Sequence, residues 1–105
     1  MPAKVTAAEF ESEVLGAEIL VLADFYSDSC IPCKRMSPIL SQLESEYEGR
    51  LKIVKINTNF EKELTEKYEV LAAPTLILFN NGQEVGRIRG AVKKDEIIGL
   101  INTIE

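Results

Sequence analysis

The sequence predicts an α/β fold, with a central mixed sheet and helices on both faces. Three observations carry that expectation. The apolar run from Ile19 to Tyr26, interrupted only by Asp24, reads as a strand buried on both faces. After it, apolar spacing alternates between the strand and helix periods, which gives early strand-helix-strand units and parallel pairing. Asn81-Gly82, between two strand-like segments, marks an antiparallel hairpin, because both positions tolerate positive φ.

The elements follow in order. Thr6 caps a first helix that places Phe10 and Val14 on one face, and Glu9 completes a capping box. The strand Ile19–Tyr26 comes next. After Cys30, Met36, Ile39, Leu40, Leu43 and Tyr47 keep helical spacing up to Gly49, with Pro38 expected to kink that helix. Leu51 to Ile56 is a second strand, interrupted by Lys52 and Lys55. Asn59 is expected to cap a short helix with Phe60, Leu64 and Tyr68 on one face. Thr75 to Phe79 is a third strand, and Glu84 to Arg89 a weaker one at an edge. A last helix runs from about Lys94 to Ile104, with Ile97, Leu100, Ile101 and Ile104 inward. Asp95 and Glu96 suit its positive end, while Lys93 and Lys94 oppose it.

The chain has 105 residues, 46% apolar and 28% charged, which suits one soluble domain spanning 1–105 rather than a disordered chain. A net charge of -5 with no basic patch argues against nucleic acid and anionic membranes as partners. The stretch Val70 to Phe79, broken by Pro74 and Thr75, is far short of the roughly 20 residues a membrane span needs. No signal-peptide core follows Met1-Pro2-Ala3-Lys4, so a cytoplasmic location is expected. Thiols stay reduced there, so a close cysteine pair points to redox or metal chemistry.

Cys30-Ile31-Pro32-Cys33 lies between a buried strand and a helix start. The helix N-terminus offers free N–H groups and partial positive charge, which stabilise a thiolate and make Cys30 nucleophilic. Pro32 fits the first turn, where its missing N–H costs nothing. Cys33, one turn on, can resolve a mixed disulfide. Three other readings compete. A structural disulfide closing so short a loop contributes only roughly 2 kcal/mol. Zinc needs about four ligands, against two cysteines and no histidine, unless two chains share a site. Inert packing of the thiols is the third.

Around the pair stand Ala23-Asp24-Phe25-Tyr26, Lys34, Ser37-Pro38-Ile39-Leu40, Lys55-Ile56-Asn57, Ala73-Pro74-Thr75, Phe79-Asn80-Asn81-Gly82 and Gly90-Ala91. In this order and spacing they resemble the thioredoxin family over nearly the whole chain. The resemblance implies the thioredoxin fold, with a central mixed sheet of about five strands flanked by four helices. It implies protein-disulfide reductase and electron-carrier activity by dithiol–disulfide exchange, with no cofactor and no metal. Cys30 attacks and Cys33 resolves. Asp24, buried beneath Cys33, relays the proton, and Lys55 moderates its raised pKa. Pro74 is cis and faces Cys30. Ala73 offers backbone N–H and C=O to an extended substrate segment, and Ile31, Pro32 and Gly90 complete the docking groove. The implied partners are a thioredoxin reductase and disulfide-containing proteins, met by a monomer.

Four positions depart from the family pattern. Tyr26 and Ser29 stand where tryptophans are usual, Ile31 where glycine is usual, and Ala73 where a branched residue is usual. All four belong to the implied docking surface and bear on which reductase and substrates are accepted. Two other classes stay open: an oxidase or isomerase of the same fold, disfavoured by the absence of histidine, and a binding scaffold, disfavoured by retention of both cysteines.

Overall fold

The structure, a computed structural model, describes residues 2–104. Its elements are β1 (Ala3–Lys4), α1 (Ala7–Phe10), β2 (Leu20–Tyr26), α2 (Ile31–Glu46), β3 (Leu51–Asn57), α3 (Lys62–Lys67), β4 (Thr75–Asn80), β5 (Gln83–Arg89) and α4 (Lys94–Asn102). The five strands form one sheet in the order β1-β3-β2-β4-β5. β1 and β2 pair with β3 in parallel, whereas β4 pairs antiparallel with β2 and β5. The sheet is mixed, as expected, and β2 lies at its centre, flanked by β3 and β4.

Strand alternation decides what faces what. Val21, Ala23 and Phe25 join the core beneath α1 and α3, with Phe10, Val14 and Leu64. Leu20 and Leu22 join the opposite core beneath α2 and α4, with Met36, Leu40, Leu43, Ile97 and Ile101. Asp24 and Tyr26 continue that second face. Ile53 on β3 belongs to it too, so Lys55, two residues on, lies on the same side. Both faces of β2 are covered, which is why this strand reads as almost uninterrupted apolar sequence.

The Thr6 backbone N–H and hydroxyl both donate to the Glu9 carboxylate, at 3.0 and 3.1 Å, giving α1 its start. The helix continues as a π turn over Glu11–Leu15, a widening the sequence does not announce. α2 runs through Pro38 as one helix. Lys94, at the positive end of α4, donates to Gln42 and Glu46 on α2 instead of meeting the helix dipole alone. Two expectations are corrected. Asn59 does not cap α3, whose cap position is Glu61; the Asn59 side-chain Oδ1 instead accepts from the Asp28 N–H at 3.1 Å. Phe60 is 75% exposed, because it lies ahead of the helix and not on its inner face. No helix among the described residues is long and apolar enough to cross a membrane.

Candidate active site

Cys30 is the N-cap of α2, with extended backbone, and Pro32 follows in the first turn. The pair is closed as a disulfide, with Cα atoms 5.2 Å apart. The Cys33 N–H donates to Cys30 Sγ at 3.1 Å, so one of the free amides at the helix start is aimed at the sulfur. Cys33 is only 4% exposed, whereas Cys30 is half-buried. That asymmetry leaves one sulfur accessible and the other behind it.

The loop before Cys30 is held by side chains to which the sequence motifs assign no role. Asn57 Nδ2 donates to the Asp28 carboxylate at 3.0 Å, and Asn57 Oδ1 accepts from the Asn59 N–H at 2.8 Å. The Thr58 N–H and hydroxyl both donate to the Tyr26 carbonyl, at 2.8 and 3.0 Å. The run Asn57-Thr58-Asn59 after a strand was the available signal, since such side chains bond nearby backbone groups.

Asp24 is 1% exposed, and neither carboxylate oxygen has a hydrogen-bond partner. Burial pushes its pKa from 3.8 up to about 6, and the Lys55 ammonium restrains the rise. Asp24 and Lys55 stand opposite each other in the β2–β3 register, and Leu76 flanks Asp24 on β4. The Lys55 ammonium touches the Ser37 hydroxyl at 3.4 Å and sits 4.7 Å from the centre of the Tyr26 ring. Lys55, Tyr26, Ser37 and Cys33 line one cleft of about 170 Å³, together with Ser27, Asp28 and Lys34.

The Ala73–Pro74 bond is cis, and Pro74 is buried. Its carbonyl accepts from the Gly90 N–H at 2.8 Å, and the Thr75 hydroxyl donates to the Ala72 carbonyl at 2.7 Å. Gly90 has a φ of +88°, which explains a glycine there. Ile31 is 62% exposed and Leu71 94%, so apolar side chains meet water both at the cysteines and just ahead of the cis bond. No cluster of three or more metal-ligating side chains occurs among the described residues.

A cysteine pair that closes at a helix N-terminus, with one accessible and one buried sulfur, is the working part of a dithiol–disulfide oxidoreductase. The comparisons narrow this further. The thioredoxin family model matches residues 1–103. The chain is 38% identical to "Thioredoxin 1" of a Nostoc species, over 88% of this chain and 86% of that protein. It is 38% identical to thioredoxin of Haemophilus influenzae, over 93% of this chain and 92% of the other, and 36% identical to that of Pyropia yezoensis, over 94% and 92%. The chain belongs to the thioredoxin family. It is a protein-disulfide oxidoreductase that works by dithiol–disulfide exchange through Cys30 and Cys33.

Proposed function

We propose that Cys30 is the attacking sulfur, Cys33 the resolving sulfur and Asp24 the group that takes the resolving proton. The observation that carries this is the buried, unpartnered Asp24 carboxylate on the sheet face beneath α2, the helix that bears Cys33. The Cys30 thiolate attacks one sulfur of a substrate disulfide. A Cys30–substrate disulfide forms and the other substrate sulfur leaves as thiolate. Cys33 then gives its proton to Asp24 and attacks Cys30 Sγ, releasing the second substrate thiolate and closing the Cys30–Cys33 disulfide. Two electrons have passed to the substrate, and a thioredoxin reductase supplies two more to reopen the Cys30–Cys33 disulfide. A carboxyl titrating at about 6 is an effective base near neutral pH.

Substrate docks in this reading along Ile31, Pro32, Ala73, Pro74 and Gly90. The half-buried Ala73 supplies strand-like backbone hydrogen bonds and the exposed Ile31 supplies apolar contact. A single-domain monomer acting in the cytoplasm completes the proposal. The test is reduction of insulin disulfides with dithiothreitol as electron source, followed by mass spectrometry of trapped adducts. The parent protein accelerates reduction, Cys33→Ser accumulates mixed disulfides through Cys30, and Cys30→Ser accumulates none. Equal trapping by the two variants overturns the assignment of roles.

A further inference from the structure

Tyr26 has no part in the exchange described above, yet its ring is a contact of Lys55, the cation paired with Asp24 across the sheet. The Lys55 ammonium is the opposite charge that holds down the pKa of that carboxyl. It is bonded to neither Asp24 oxygen, since both lack hydrogen-bond partners. What holds the ammonium is the Tyr26 ring, at 4.7 Å, and the Ser37 hydroxyl, at 3.4 Å. The two holders come from different elements, β2 and α2, and both line the cleft that contains Cys33. A lysine on a half-buried strand position ordinarily extends its head into water. Here a ring face and a hydroxyl give it partners inside the cleft.

We propose that Tyr26 and Ser37 are positioning residues for Lys55, holding its ammonium in the cleft where its charge acts on the Asp24 carboxylate. The consequence for catalysis rests on the proposed role of Asp24, whereas the clamp itself stands on the contacts above. With the ring removed, the ammonium returns to solvent, its field at Asp24 weakens, and the carboxyl holds its proton to higher pH. The other charges lining this cleft are Asp28 from the loop after β2 and Lys34 from α2; Lys4 from β1 and Glu61 ahead of α3 line a neighbouring cleft that shares Tyr26 and Lys55, and β4 presents the uncharged Leu76. None of these touches the Lys55 ammonium or the Asp24 carboxylate in a hydrogen bond or ion pair.

The experiment follows the Asp24 carboxyl carbon by NMR against pH in the oxidised protein, where neither cysteine titrates. Tyr26→Leu raises the midpoint by about half a pH unit, the scale set by a partly exposed cation–π contact. Tyr26→Phe retains the ring and the parent midpoint. Lys55→Met raises the midpoint at least as far, and adding Tyr26→Leu to it produces no further rise. A midpoint that is unchanged or lowered by Tyr26→Leu overturns the clamp. So does a rise that persists undiminished in the Lys55→Met background, because the ring would then act independently of the ammonium. If Tyr26→Leu does not fold, Ser37→Ala, which removes the other contact, must move the midpoint in the same direction. These midpoints involve no proton relay. A shifted midpoint with an unshifted pH profile for mixed-disulfide resolution would sink the relay and leave the clamp standing.

Discussion

Asp24 is the only charged residue among the described ones that is fully buried, and its titration couples the site to the stability of the fold. The folded-state pKa of about 6 lies above the ordinary 3.8. Between those values the folded protein keeps a proton that the unfolded chain releases. The stabilisation is therefore complete below 3.8, declines as pH rises, and is lost above about 6. The difference corresponds to about 3 kcal/mol. Asp24→Asn removes this dependence. In urea unfolding of the oxidised protein, the stability of the variant relative to its parent should grow by about 2 kcal/mol from roughly pH 4 to 7, most of the full difference. The constant cost of burying an unpaired amide cancels from that slope. A flat difference across the range contradicts the raised pKa. Burial of Asp24 followed from the family resemblance; a lone acid near the end of an apolar strand could also have reached solvent. The Tyr26–Lys55 contact was not legible in the sequence, because strand pairing, not spacing along the chain, brings β2 and β3 side chains together.

At the scale of elements, the β4–β5 hairpin depends on two left-handed residues. Asn81 has a φ of 53° and Gly82 a φ of 79°, as the Asn-Gly signal implied. A Cβ on Gly82 would also come within 3.0 Å of the Leu15 carbonyl, so the turn is pressed against the end of the π segment. Gly82→Ala is expected to cost about 1–2 kcal/mol, from left-handed backbone strain plus that contact. The midpoint of urea unfolding should fall while its slope stays constant. An unchanged midpoint means the turn relaxes without cost. Strong periodicity and turn chemistry made β2, α2, β4 and α4 readable. β1 was missed because Ala3–Lys4 is too short and exposed to have a pattern, and is a strand only through pairing with β3. Phe60 was misplaced because an aromatic residue at helical spacing was read as core, whereas the chain turns into α3 only after Glu61.

For the whole molecule, the remaining quantity is the redox poise, which weighs the disulfide against the dithiol with its Cys30 thiolate. Whatever stabilises the thiolate makes the protein more oxidising. Around Cys30 the structure provides the N-terminus of a 16-residue helix and the Cys33 N–H. The two residues between the cysteines, Ile31 and Pro32, have no side-chain donor, and the chain contains no histidine. Strongly oxidising relatives of this chemistry depend on extra stabilisation of the thiolate, by several kcal/mol, since about 30 mV corresponds to 1.4 kcal/mol. No such group is present around Cys30 among the described residues. Pro32 in the first turn also restricts the open dithiol, which favours closure. Both arguments point to a reductant. Equilibration against a glutathione series should give a potential below about -220 mV. A value above about -180 mV would instead place the protein with isomerases and oxidases, and would require a source of thiolate stabilisation beyond the helix end and a single amide.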